Sequence, residues 1–149
     1  YLGYWYEALR LPNSFTPDYT CVRARYTDVD EDRIVEVYNT GTTEENTVDE
    51  EFGIVYQPDL TVPGSLIVEF PGRPAGDYLV LGVDYDKYAA VYACDYFGIV
   101  KFELAWILSR DPVIDSESER LARAAFEQFG IDTSSFTTTY HDEACRYEP

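Results

Sequence analysis

Apolar residues in this chain recur in short blocks separated by Gly, Pro, Asp and Asn, a rhythm that predicts strands rather than helices. The blocks cover residues 19–26, 33–39, 48–56, 65–70, 78–85, 89–96 and 101–109, each rich in β-branched and aromatic side chains. Several alternate with period two. Leu66 and Val68 share the face of Phe70, and Phe102, Leu104, Trp106 and Leu108 share one face of their block. Others are apolar on both faces, most clearly Tyr78-Leu-Val-Leu-Gly-Val83. A strand lying under a helix on one side and lining an interior on the other has that pattern, so a closed antiparallel barrel fits better than an open sheet.

At Asp115 the period changes. A capping Asp or Ser, early acidic residues and a stop at Gly130 predict one helix over 115–130. Leu121, Ala125 and Phe129 form an apolar stripe at four-residue spacing, with Ala122 and Phe126 beside it, so the helix is expected to pack outside the barrel. Its polar face carries Glu117, Glu119 and Glu127 instead of a Lys/Arg row, which argues against a membrane-surface helix. A short final strand is expected at 137–140.

Composition narrows the function classes. The 149 residues suit one domain, 1–149, and hold 11 Lys and Arg against 28 Asp and Glu, a net charge of −17 that repels nucleic acid and anionic membrane. No apolar run approaches the roughly 18 residues of a membrane span, and YLGYWYE lacks the regions of a signal peptide. Hydrophobic residues at 46% and aromatic residues at 16% exclude a disordered acidic chain. The acids at 44–51 read as a solvated hairpin face, and neither they nor Asp28-Val-Asp-Glu-Asp32 complete a calcium loop.

Candidate chemistry is sparse. Cys21, Cys94 and Cys145 are widely separated, with no CxxC pair and His141 as the sole histidine, so a metal site is not expected. In a secreted chain three cysteines imply one bridge and one thiol whose partner lies elsewhere or has been removed. No GxSxG surrounds any serine, and neither a GxGxxG nor a P-loop is present, so no catalytic residue is expected.

Three separated motifs are more specific. Gly3-Tyr4-Trp5-Tyr6-Glu7, taken to precede the first strand, resembles the Gly-x-Trp signature of lipocalins; Val83-Asp84-Tyr85-Asp86-Lys87-Tyr88-Ala89 resembles their second block, and Trp106-Ile107-Leu108-Ser109-Arg110-Asp111-Pro112 their third. Their order, followed by a helix and a short strand, extends the resemblance over the whole chain. Within the family, residues 1–7 and 88–94 resemble apolipoprotein D, while Cys21-Val-Arg23, Cys94-Asp-Tyr-Phe-Gly98 and residues 131–136 resemble the crustacyanins, in a group that also holds the insect bilin-binding proteins.

The resemblance implies an all-β fold: an eight-stranded antiparallel up-and-down barrel with one C-terminal helix outside. It implies a Cys21–Cys145 disulfide and hence a secreted protein, with Cys94 left without the partner that relatives carry ahead of the Gly-x-Trp block, a segment this chain is expected to lack. Gly3, Trp5, Asp84, Tyr85 and Arg110 are expected to be structural, the Arg110 guanidinium stacking on the indole to close the narrow end. If Trp106 points inward, Leu104 and Leu108 do as well. Carrying the family pattern across adds Leu79, Leu81, Val91 and Ala93, together with Tyr26, Tyr38, Tyr56, Val68 and Phe70; Glu36 shares the face of Tyr38. Ordinary core packing accounts for each of these residues individually, and small Ala24 and Ala93 on the expected inner face favour a cavity.

The function so implied is carriage of one small hydrophobic ligand, with no catalytic cofactor. The crustacyanin-like pieces point to a carotenoid such as astaxanthin. Biliverdin is the closest rival, and its propionates would need Arg23, Arg25, Arg33 or Arg73; fatty acids, retinoids and steroids are further alternatives. A carotenoid is longer than such a barrel is deep, which predicts a homodimer or heterodimer covering the open rim. Two other classes are a protein-interaction subunit of a pigment complex and an isomerase, the latter requiring a reactive inward cysteine.

Overall fold

The computed structural model describes residues 1–12, 18–29, 33–97 and 99–147; the acids at 30–32 fall outside them, as does residue 98. Eight strands run β1 Gly3–Arg10, β2 Thr20–Asp28, β3 Ile34–Thr42, β4 Val48–Tyr56, β5 Ser65–Glu69, β6 Gly76–Asp84, β7 Tyr88–Phe97 and β8 Val100–Ser109. Each pairs antiparallel with its neighbour in sequence, and β1 pairs with both β2 and β8, which closes the barrel. Helix α1, Ser116–Glu127, follows β8, and the two-residue β9, Thr137–Thr138, pairs with the end of β1.

The first strand corrects one expectation. Gly3–Glu7 does not precede the first strand; it forms the first half of β1. Tyr-Trp-Tyr-Glu-Ala-Leu shows no simple alternation because β1 changes partners along its length. Gly3–Tyr6 pair with β2, a register shift intervenes between Glu7 and Leu9, and Leu9–Arg10 then pair with β9.

Two apolar clusters share the molecule. Inside the barrel, Trp5, Ala24, Tyr26, Val37, Val55, Tyr78, Ala89, Val91 and Leu108 are buried together. Outside it, Ala8, Leu9, Ala90, Ala105 and Ile107 pack against Ala122, Phe126 and Phe136. Alternation delivers both from the same strands: Ala89 and Val91 face in while Ala90 faces the helix.

Helix α1 begins where expected, Asp115 accepting from the Ser118 N–H at 2.8 Å. Its buried face, however, is Ser118, Ala122 and Phe126, while Leu121 and Phe129 are 38% and 60% exposed. The expected Leu121–Ala125–Phe129 stripe is therefore rotated from the one that docks. The barrel offers Ala90, Ala105 and Gly82 beneath the helix, and a Cβ on Gly82 would lie 2.8 Å from that of Ala125. Close approach on this shallow surface favours small Ala122, with Phe126 inserted edge-on to Phe136 at 5.1 Å.

Candidate ligand-binding site

The end of the barrel where β1 starts is tied together by Arg110. Its guanidinium lies 3.7 Å from the Trp5 ring centre and donates to the carbonyls of Tyr85 at 2.8 Å, Tyr4 at 2.6 Å and Leu2 at 3.1 Å. Gly3 has φ +97°, open to glycine, and a Cβ there would come to 3.5 Å from an Arg110 nitrogen. Asp84 shapes the β6–β7 turn: a side-chain oxygen accepts from the Asp86 N–H at 3.1 Å and its carbonyl from the Lys87 N–H at 2.9 Å. One residue type thus joins the start of β1, the end of β8 and that hairpin.

Beside this clamp sits a cluster of buried phenols. The Tyr78 hydroxyl bonds to those of Tyr1 at 2.5 Å and Tyr26 at 2.8 Å, and the rings of Tyr1, Tyr26 and Tyr78 meet edge-on. Burial raises all three above the usual phenol range, Tyr26 to about 12, so each holds its proton at physiological pH. Trp5 Nε1 donates to the Tyr1 carbonyl at 2.7 Å and keeps that ring in place.

Next to the phenols lies a cavity of about 620 Å³, within the range of small-molecule sites. Tyr1, Tyr26, Val35, Val55, Leu66, Val80 and Val83 contribute to its wall, and Asp28, Arg33, Tyr56 and Tyr85 are its polar and rim residues. It opens among the β2–β3, β4–β5 and β6–β7 connections, at the same end as the Trp5–Arg110 stack. The stack therefore fastens one side of this end and the cavity occupies the other.

The residues expected to line the interior fall into three groups. Tyr26, Tyr56 and Leu81 border the cavity. Val68, Phe70, Val91, Trp106 and Leu108 belong to the inner cluster, and Ala93 is buried opposite half-buried Leu104. Two assignments, Tyr38 and Leu79, need correction. Tyr38 faces outward: Val37 points in, and the Tyr38 ring stacks on Phe52 at 4.4 Å under the Arg25 guanidinium, its hydroxyl donating to Glu50 at 2.6 Å. Leu79 also faces outward, in a groove of about 490 Å³ between the barrel and Phe129–Asp132. Leu81 touches both cavities and packs with the helix-side cluster, because the β6 register shifts between Val80 and Gly82. Tyr56 lies at the rim with its hydroxyl turned to the outward Glu69 at 3.0 Å.

Sequence reasoning missed Tyr1, Tyr78, Val35, Val55, Leu66, Val80 and Val83. Tyr78 and Val80 alternate with Leu79 and Leu81, so choosing the wrong parity on β6 lost two at once. Gly82 inside an apolar run was the signal of a bulge.

The remaining polar groups serve the outer wall and the tail. Arg23 lies over the rings of Tyr4 and Tyr147, and Arg73 pairs with Glu51 over the Phe70 ring. Cys21 and Cys145 form a disulfide. Among the described residues the one group with metal-like spacing is Cys21, Asp142 and Cys145, whose two sulfurs are consumed by that bridge. Cys94 is a free, half-buried thiol paired in register with Glu103, one residue out of phase with inward Ala93. His141 is held between the Glu7 carbonyl, which accepts from Nε2 at 2.8 Å, and the Tyr147 hydroxyl, which bonds to Nδ1 at 2.7 Å.

A closed eight-stranded barrel with an apolar interior, a clamped end and a cavity of ligand size defines a small-molecule-binding protein of the up-and-down barrel class. The sequence model of the lipocalin-like domain matches residues 1–141, and the chain belongs to the lipocalin family. It is 33% identical to mouse apolipoprotein D over 141 residues, 93% of this chain and 74% of that protein. Insecticyanin from the tobacco hornworm Manduca sexta superposes with a TM-score of 0.81 at 27% identity, covering 98% of this chain and 82% of its own. Lobster apocrustacyanin A1 gives a TM-score of 0.84 at 23% identity, covering 97% and 79%, a likeness of fold. Binding of small hydrophobic ligands comes with the family.

Proposed function

We propose that this lipocalin is a secreted, non-enzymatic carrier of one elongated hydrophobic molecule, a carotenoid such as astaxanthin, held in the barrel by apolar burial. The observation that carries the reading is the cavity of about 620 Å³, walled by Val35, Val55, Leu66, Val80 and Val83 and continuous with a phenol cluster. A nine-residue strand spans about 30 Å, and tilting it as closure requires leaves roughly 23 Å of barrel depth. A carotenoid exceeds that depth, so one end protrudes and a second subunit covers it.

Charge favours this ligand over biliverdin. Of the four arginines open to its propionates, Arg23 and Arg25 lie on outer-wall rings and Arg73 pairs with Glu51. Arg33 alone of these borders the cavity, and it shares the site with Asp28. A dianion would meet a site of no net charge inside a protein of −17. The disulfide supports an oxidising, extracellular setting.

The test is a visible absorption titration with astaxanthin and, separately, biliverdin, on the wild type and on Trp106→Ala. A red-shifted astaxanthin band that weakens in the variant is expected. A sharpened long-wavelength biliverdin band would transfer the protein to bilin carriage, and no change with either would leave colourless lipids as cargo.

A further inference from the structure

The groove of about 490 Å³ outside the barrel, where the chain leaving α1 passes over the outer wall, takes no part in carriage by the barrel. Its volume falls within the range of small-molecule sites. Outward side chains of three neighbouring strands make its floor. Leu79 on β6 pairs with Tyr92 on β7, and Glu103 on β8 lies diagonally from Tyr92. Ile131 and Phe129 contribute a wall, and Phe129, 60% exposed, stands outside the docked face of α1.

The charges here are of one sign. Glu103 and Asp132 line the groove, and among the described residues no Lys, Arg or His lines it with them. The C-terminal end of α1, which leads into Phe129, carries the negative end of the helix dipole and has no basic residue in its last turn. Glu103 accepts a hydrogen bond from the Tyr92 hydroxyl, and Asp132 accepts one from the Ser134 N–H at 2.9 Å. A carboxylate accepts from several donors at once, so an incoming donor is compatible with both bonds.

We propose that this groove is a second binding site, for a small amphiphilic cation: a primary ammonium with an apolar tail. The tail lies against Leu79, Phe129 and Ile131, the ammonium is received by the carboxylates, and the Tyr92 and Phe129 rings favour the same charge. Charge selects this occupant. An anionic amphiphile would meet two carboxylates and a helix C-terminus, and a second copy of this chain would bring −17 against −17. This site is independent of the cargo of the barrel.

Octylammonium, octanol and octanoate test it, since they share one chain length and differ in charge. Each is titrated into the isotope-labelled full chain at physiological ionic strength while backbone amide shifts are followed by NMR, with methylammonium as the control for unspecific counter-ion binding. Octylammonium is expected to move the Leu79, Tyr92, Gly130 and Ile131 amides saturably and to bind there about fivefold to tenfold more tightly than octanol. Octanoate and methylammonium leave those amides in place. In Glu103→Gln/Asp132→Asn, whose amide oxygens still accept from Tyr92 and Ser134, the preference for the ammonium falls to about one. In Phe129→Ala octylammonium and octanol weaken together. Shifts confined to the barrel amides of Val35 and Val55 would overturn the site. Equal groove affinities for octylammonium and octanol, or a preference that survives in the double variant, would overturn the role of the carboxylates. A response to methylammonium as strong as that to octylammonium would overturn the role of the tail. Should the double variant fail to fold, the wild-type comparison and Phe129→Ala still decide.

Discussion

Replacing Arg110 by Ala removes the group that holds the start of β1, the end of β8 and the β6–β7 hairpin together. The stack on Trp5 at 3.7 Å is worth about 1 kcal/mol in a partly solvated setting. The three bonds to the carbonyls of Leu2, Tyr4 and Tyr85 add roughly 0.5 to 1 kcal/mol each after exchange with water. The total is about 2.5 to 4 kcal/mol, a large share of the roughly 5 to 15 kcal/mol that holds a domain folded. For a chain of this size that lowers Tm by about 6 to 12 °C. Leu2 and Tyr85 also border the cavity, so ligand affinity falls with stability. The assay is urea unfolding followed by the emission of Trp5 and Trp106, with Arg110→Lys alongside. A single ammonium keeps the charge but cannot span three carbonyls, so Lys recovers less than half of the loss. An Arg110→Ala variant within about 0.5 kcal/mol of wild type would refute the clamp.

Two further predictions concern the helix and the tail. Phe126→Ala should cost about 3 to 5 kcal/mol by urea unfolding, whereas Phe129→Ala, at a 60% exposed position, should cost less than about 0.5 kcal/mol; the reverse order would mean that the other stripe docks. Burial holds His141 below the usual histidine value of 6.5. Its folded pKa lies beneath the unfolded one, so its contribution to stability is complete above pH 6.5 and is lost as pH falls through that value toward the folded one. Glu7, raised by burial, acts with the opposite sign, being lost as pH rises above its unfolded 4.5. Urea midpoints at pH 7, 6 and 5 for wild type and His141→Gln separate the two, the variant losing the histidine part of the slope; parallel curves would show that His141 stays outside the titration.

The strands after β1 were legible because turn residues bound them and because period-two patterns are hard to disguise. Strand β1 was not, since exchanging β2 for β9 halfway along makes Trp5, Ala8 and Leu9 all buried without alternation. The helix was legible as a helix, but its rotation was not. The apolar stripe with the largest side chains was a poorer match than Ser118–Ala122–Phe126, whose Ala122 packs in one cluster with Ala90 and Ala105. Which face docks depends on the partner surface, and no single segment encodes that.

The site shows the same dependence in sharper form. On β3, Glu36 shares the face of Tyr38, and that polar neighbour was the correct sign that Tyr38 belongs outside with Phe52 and Arg25. On β6 no such neighbour exists, because both faces are buried, one under the helix and one in the barrel. Parity then has no local marker, and the bulge between Val80 and Gly82 shifts it again. The phenol cluster was hidden for a related reason: its members are 25 and 52 residues apart in sequence, and a tyrosine in a barrel strand reads as packing until its oxygen has a partner. Closure of the barrel brings the three oxygens into one hydrogen-bonded cluster, two of whose members, Tyr1 and Tyr26, border the cavity.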